Sequence, residues 1–83
     1  MWKVLLSPDV KEFLKKQDSH IEKRLRKGLE KLQVEDPFHY LEHFEGQYYK
    51  YRLGDYRALI DIDFENKILK IQILDKRGRI YKK

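Results

Sequence analysis

The stretch from Tyr48 to Ile62 constrains the fold more than any other part of the sequence. Tyr48-Tyr49-Lys50-Tyr51-Arg52-Leu53 and Tyr56-Arg57-Ala58-Leu59-Ile60-Asp61-Ile62 flank a Gly54-Asp55 pair. Gly followed by a short polar residue supplies the positive φ that a two-residue hairpin turn needs, so the stretch predicts a β-hairpin. With Gly54 and Asp55 as the turn, Leu53 faces Tyr56 and pairing runs outward from there. Residues directly opposite each other share a face. One face then carries Leu53/Tyr56, Tyr51/Ala58 and Tyr49/Ile60 and is a core face. The other carries Arg52/Arg57, Lys50/Leu59 and Tyr48/Asp61. Two arginines directly across a ladder repel, where opposite charges would contribute about 0.2–1 kcal/mol. Either these long basic side chains splay into water, or the face is built to receive an anion. The hairpin alone leaves both readings open.

A third strand follows at Lys67-Ile68-Leu69-Lys70-Ile71-Gln72-Ile73-Leu74. If the chain reverses at Glu65-Asn66, Ile62 pairs with Leu69, Ile60 with Ile71 and Ala58 with Ile73. That register extends the apolar face, and a one-residue slip would put these side chains on the wrong side. It also sets Lys70 opposite Asp61 and Leu74 opposite Arg57. The C-terminal half therefore reads as a three-stranded antiparallel meander.

Upstream, Trp2-Lys3-Val4-Leu5-Leu6 is a short apolar strand. Ser7 is placed to cap a helix whose first position is Pro8, where a missing N–H costs nothing. Val10, Phe13 and Leu14 mark one helical face, and helical spacing resumes with Ile21, Leu25, Leu29 and Leu32. Asp18 and Ser19 interrupt the pattern, and Ser19 with Glu22 fits a capping box. Two helices are expected, about 8–17 and 19–34, forming a helical hairpin. Their basic residues (Lys15, Lys16, Lys23, Arg24, Arg26, Lys27) form a solvated face.

Periodicity fails from Glu35 to Gly46, where Asp36-Pro37 marks a break. His39 and His43 with Glu42 and Glu45 make a metal site conceivable, but two histidines without a third strong ligand fall short of the recognised spacings. No metal site is expected. Phe38, Leu41 and Phe44 are expected to pin this loop onto the core.

The chain of 83 residues makes one domain, residues 1–83, of the α+β class: an N-terminal strand, a helical hairpin and the meander in one sheet. Lack of cysteine excludes a disulfide framework and a thiolate zinc site, which fits a reducing cytosol. No stretch is long and apolar enough to span a membrane as a helix, and the N-terminus lacks the layout of a signal peptide. A cytoplasmic protein without a membrane partner is expected. The net charge of +5 is localised: the last eight residues, Lys76-Arg77-Gly78-Arg79-Ile80-Tyr81-Lys82-Lys83, hold five cations and no acid. Charge concentrated in this way, with an interleaved tyrosine, marks a nucleic-acid or acidic-partner surface, the alternative being a solubilising tail.

The run Tyr49-Lys50-Tyr51-Arg52-Leu53-Gly54-Asp55-Tyr56-Arg57, then a strand, then Lys76-Arg77-Gly78-Arg79-Ile80-Tyr81, resembles the RelE/ParE superfamily of toxins from toxin–antitoxin pairs. The likeness covers the whole chain. Its Lys-Arg-x-x-x-Tyr ending resembles the RelE branch, which cleaves messenger RNA in the ribosomal A site. The ParE branch, which poisons DNA gyrase, lacks this catalytic set. The resemblance implies that Lys50 and Arg52 are the basic pair of the first hairpin strand. It implies further that Arg57 holds the scissile phosphate, and that Arg77 and Tyr81 complete the catalytic set. Lys76, Arg79 and Tyr48 would contact substrate, Arg79 as an auxiliary cation and Tyr48 by base stacking. One departure is Lys76, where some relatives carry a histidine, so histidine acid–base chemistry is not available there.

The implied reaction is attack by the RNA's own 2′-hydroxyl on the adjacent phosphate, leaving a 2′,3′-cyclic phosphate and a 5′-hydroxyl, with no cofactor or metal. Fixed guanidinium groups suit it because charge develops on the non-bridging oxygens. Lys50 and Tyr81 are the two candidates for general base, since crowding by Arg52, Arg57 and Arg77 favours neutral lysine and tyrosinate. The implied partners are a RelB-like antitoxin, the ribosome and mRNA, with operator DNA reached only through the antitoxin complex. Two other classes remain: a ParE-like gyrase inhibitor without nuclease activity, and a basic binding module such as a DNA-binding corepressor, whose binding would be steeply salt-dependent.

Overall fold

From the N-terminus, a computed structural model describes residues 1–76. They run β1 (Lys3–Leu6), α1 (Pro8–Lys15), α2 (Ser19–Val34), a single 3-10 turn (Pro37–His39), β2 (Glu42–Glu45), β3 (Tyr48–Leu53), β4 (Tyr56–Asp63) and β5 (Ile68–Lys76). The strands form one sheet in the order β1-β5-β4-β3-β2. Only the β1–β5 pair is parallel; the other three pairs are antiparallel. The expected meander is thus β3-β4-β5, with β1 added at one edge and β2 at the other.

The hairpin register is the expected one at every pair, from Leu53↔Tyr56 to Tyr48↔Asp61. Gly54 adopts φ +61°, the left-handed conformation that lets so short a turn match the twist of its strands. Burial then alternates strictly along β4. Tyr56, Ala58, Ile60 and Ile62 are buried while Arg57, Leu59, Asp61 and Asp63 are half-buried. The buried residues meet Val10 and Leu14 of α1 and Leu25, Leu29 and Leu32 of α2, so both helices cover one face of the sheet. Among the described residues no helix covers the other face, which holds the basic residues of the hairpin.

Two contacts fix how α2 lies on the sheet. The Tyr51 hydroxyl donates to the Gly28 carbonyl at 2.8 Å, giving a buried phenol its partner. Gly28 also allows close approach, because a Cβ there would stand 2.5 Å from Leu53 Cδ2. At the outer edge of β1, the Val4 amide donates to Gln33 Oε1 at 2.9 Å, so a helix side chain occupies a donor of the edge strand.

The third strand departs from its expected register in one place. Ile62↔Leu69, Asp61↔Lys70 and Ile60↔Ile71 pair as expected, but an irregularity follows, and Leu59 pairs with Ile73, Ala58 with Leu74 and Arg57 with Asp75. Gln72 is the extra residue of a β-bulge. The expected pairs Ala58/Ile73 and Arg57/Leu74 are therefore corrected: Leu74 enters the core at 3% exposure, while Ile73 lies on the open face at 42%. The bulge is held from the other end of the chain. The Ser7 hydroxyl donates to the Gln72 carbonyl at 2.9 Å, and its oxygen accepts from the Val10 amide at 3.2 Å. One hydroxyl thus caps α1, as expected, and satisfies the carbonyl of the bulge residue. Ser7→Ala is expected to cost about 1–3 kcal/mol in urea unfolding, since both partners are orphaned. It should also perturb the amide resonances of residues 72–75. A cost below about 0.5 kcal/mol, within the range of an ordinary surface change, would contradict this linkage.

Other local expectations change too. α1 ends at Lys15 rather than 17, with the Gln17 side chain donating to the Phe13 carbonyl at 3.1 Å. The capping box at Ser19 and Glu22 does not form. Asp18 is the N-cap residue, without a side-chain cap bond, and Glu22 pairs with Arg26 at 2.8 Å instead. An i,i+4 ion pair has taken the carboxylate the box would have used. The six helical cations named above are all exposed, as expected of a solvated face.

The linker is not a loop throughout. Asp36 accepts from the Phe38 amide at 3.1 Å and starts the 3-10 turn, with Pro37 buried beneath it. The chain then forms β2 along β3. Leu41 packs against the core. Phe38 joins an aromatic cluster, its centroid 5.4 Å from Trp2 and 5.9 Å from Phe64, with 38% of its surface exposed. Phe44 is half-buried and lies 5.8 Å from the Lys50 ammonium, so it serves the basic region rather than the core.

Candidate functional site

Three strands place the basic side chains. Lys50 and Arg52 are alternate residues of β3 and project from its open face; Arg57 is directly across from Arg52 on β4. Together with Tyr40 and Glu42 they line a cleft of about 280 Å³. The cations therefore converge, and they do so beside one acid. The Lys50 ammonium lies 3.1 Å from Glu42 Oε1, across the Glu42↔Lys50 pair of β2 and β3. Glu42 remains exposed and Lys50 is about one-third exposed. No ion pair joins Arg52 or Arg57 to a carboxylate among the described residues.

The bulge bears on this face. By shifting the register it sets Asp75, not Leu74, opposite Arg57. The row across the sheet reads Arg52–Arg57–Asp75, so the like-charge pair of the hairpin has an acid on its flank. The Asp75 carboxylate also accepts from the Lys76 amide at 2.7 Å, which anchors its position.

Tyr40 forms the wall at the end of the cleft nearest α2. Its hydroxyl donates to Glu35 and its ring lies 4.3 Å from the Lys31 ammonium. The hydrogen bond to Glu35 is the main reason its phenol titrates above the usual tyrosine value; desolvation and the charge of Glu35 add to this, and Lys31 opposes it. Burial raises the Tyr51 phenol behind it in the same direction. Both phenols are held protonated, so they act as donors and surfaces rather than bases.

Of the residues expected at the site, the structure brings together Lys50, Arg52 and Arg57. Tyr48 lies on the same face, opposite Asp61, and is 36% exposed. Lys76 pairs with Tyr56, a register position of the helix-covered face, and is exposed at the end of β5. Arg77, Arg79 and Tyr81 lie outside the described residues. Tyr40, Glu42 and Asp75 were not expected at the site. Glu42 has a usable signal in the sequence, a carboxylate just upstream of a basic strand, although by itself that pattern points only to a possible metal ligand. Among the described residues no three histidine or acidic side chains form a metal-binding group. His43 Nε2 instead lies 2.8 Å from the Gly46 carbonyl.

The order of elements, the mixed sheet and a basic face opposite the helices define the α+β fold of RelE-type toxins. Among solved structures, the chain is similar to the toxin–antitoxin complex RelBE2 from Mycobacterium tuberculosis. The two share 20% identity and a TM-score of 0.80 over 92% of this chain and 98% of that one. It is also similar to the archaeal RelE-RelB complex from Pyrococcus horikoshii, at 25% identity and TM-score 0.75, over 94% of this chain and 97% of that one. The intact Escherichia coli RelBE complex matches at 18% identity and TM-score 0.70, over 95% of this chain and 100% of that one. No protein-family model matches, and no curated protein matches by sequence.

Proposed function

We propose that the chain is the toxin of a type II toxin–antitoxin pair, acting in the cytoplasm as a ribosome-dependent endoribonuclease that cleaves mRNA in the A site. The observation that carries this reading is the convergence of Lys50, Arg52 and Arg57 on one cleft of a RelE-like sheet. Arg57 holds the non-bridging oxygens of the scissile phosphate. Arg52 binds the flanking phosphate, and Lys50 supplies a third positive charge where the pentavalent intermediate forms. Arg77 and Tyr81 enter on the family resemblance alone. The RNA's 2′-hydroxyl is the nucleophile, and the products are a 2′,3′-cyclic phosphate and a 5′-hydroxyl.

A shallow basic cleft binds phosphate chains without choosing a conformation, and in-line attack needs one. The ribosome supplies that order, so cutting of free RNA should be slow. The structural neighbours solved as RelB complexes support a RelB-like antitoxin as partner. An acidic, extended chain laid over the open face would block the cleft, and operator DNA would be reached only through that complex. Ribosome footprinting after induction in cells tests the reading. Cuts within A-site codons are expected; DNA breaks with an induced DNA-damage response would support gyrase poisoning instead.

A further inference from the structure

The cleft meets a second groove at one edge of the sheet. β2 pairs with β3 no further than Lys50, so among the described residues Tyr51, Arg52 and Leu53 form the outer edge there. On the open face this edge borders the cleft of Lys50, Arg52 and Arg57. On the helix face it borders a groove of about 400 Å³, walled by Arg24, Gly28 and Lys31 of α2 and by Tyr51, Leu53 and Gly54 of the hairpin. Tyr40 stands between the two. It lines the cleft, its ring centroid lies 6.4 Å from that of Tyr51, and the Lys31 ammonium lies 4.3 Å from it. We propose that Tyr40, Lys31 and Arg24 form a second nucleotide subsite, which takes the messenger strand as it leaves the cleft. Tyr40 stacks the base next to the cut, and Lys31 and Arg24 hold the phosphate beyond it. This rests on the ribonuclease reading given above.

The charges of α2 are sorted as such a subsite needs. Lys23, Lys27 and Lys31 repeat at four-residue spacing, a stripe of one sign whose members repel. The adjacent stripe of Glu22, Arg26 and Glu30 has the same spacing but alternates in sign, and Glu22 and Arg26 pair at 2.8 Å. Arg26 and Glu30 border β1, whereas Arg24 and Lys31 border the hairpin. Among the described residues no carboxylate forms an ion pair with Lys23, Arg24, Lys27 or Lys31. A helix face that only has to stay solvated gains from mixing the two signs. Charge of one sign beside an aromatic ring is what holds a single nucleic-acid strand. Tyr40 is also preorganised: Glu35 fixes its hydroxyl, Lys31 braces its ring and Tyr51 packs against it, so little side-chain freedom is lost when a base stacks there. The path from Arg52 over Tyr40 to Lys31 carries the strand round the sheet edge. The subsite orders the strand for in-line attack and takes no part in making or breaking bonds.

The test uses purified chain with ribosomes carrying mRNA in the A site. Non-cleavable 2′-deoxy messages carry 4-thiouridine on one side of the cut or the other, in separate samples. Near-ultraviolet light should join one of them to α2 or to the peptide containing Tyr40. In single-turnover cleavage, Arg24→Gln with Lys31→Gln should raise the half-saturating concentration at least about fivefold and leave the saturated rate little changed. The salt slope of its binding should fall by about one phosphate contact. Tyr40→Leu should weaken binding about 5–100-fold, and Tyr40→Phe should restore most of it. Lys15→Gln with Lys16→Gln, an equal loss of charge on α1, should bind within about twofold of the parent. If Tyr40→Leu does not fold, the crosslink and the Arg24 and Lys31 variant decide. Thiouridine joined only to β3, β4 or the ribosome, with the Arg24 and Lys31 variant binding as the parent does, would overturn the subsite and leave the ribonuclease reading standing. So would α2 joined to ribosomal RNA instead of the message, or an equal loss of binding from the α1 pair. A parent chain that gives the expected crosslink but cuts nothing would overturn the ribonuclease reading and leave the subsite as a binding site.

Discussion

Arg57→Ala is expected to reduce A-site cleavage by at least about 10²–10³-fold while the protein stays folded. Arg57 belongs to the central strand of the basic face, flanked by Arg52 on one side and Asp75 on the other. Its guanidinium can bind two phosphate oxygens at once, and that fork stabilises the extra charge the phosphorus gains in the transition state. The side chain is half-buried on the face away from the helices, so none of the core contacts of Ala58 or Tyr56 is lost with it. Removing it even relieves repulsion with Arg52 across the ladder. Thermal unfolding should therefore change little, or shift upward. Arg57→Lys should recover only a small part of the rate, because an ammonium keeps the charge but not the paired hydrogen bonds. A variant that folds and cuts at the parent's rate would remove Arg57 from the mechanism.

The largest effect on stability is expected from Leu69→Ala. Leu69 has no exposed surface and lies on β5, the strand that joins the parallel edge to the meander. It pairs with Val4 on one side and Ile62 on the other, beneath the two helices. Truncation leaves a cavity bounded by strands on both sides, which cannot close without moving paired backbone. The cost should be about 2–5 kcal/mol in equilibrium urea unfolding. For a domain of this size that is on the order of a 10–30 °C fall in Tm, a large share of its total stability. A loss under about 1 kcal/mol would mean that the sheet repacks far more freely than its register implies.

The hairpin was fully legible in the sequence because its information is local. A Gly-Asp turn fixes the register, and a period of two fixes which side chains share a face. The three cations of the cleft followed from those two facts alone. The bulge was not legible, because nothing near Gln72 announces it. Its carbonyl is satisfied by Ser7, 65 positions away in sequence, and that contact exists only after β1 lies beside β5. Its consequence reaches the candidate site, where Asp75 replaces Leu74 opposite Arg57. β2 was missed for a related reason. Glu42-His43-Phe44-Glu45 has little strand character of its own, and pairing with β3 makes it a strand. With that strand unread, Glu42 could not be placed across from Lys50. Arg77, Arg79 and Tyr81 stay where the family resemblance put them, outside the described residues.

In the proposed reaction Lys50, Arg52 and Arg57 serve one phosphodiester bond of a ribonucleotide. The most direct test is in vitro, with ribosomes programmed with an mRNA carrying a single 2′-deoxy nucleotide immediately 5′ to the expected cut. The unmodified message should be cut in the A-site codon, giving a 2′,3′-cyclic phosphate and a 5′-hydroxyl, and the 2′-deoxy message should bind but stay intact. Equal cutting of both messages, or fragments bearing a 5′-phosphate, would contradict the account.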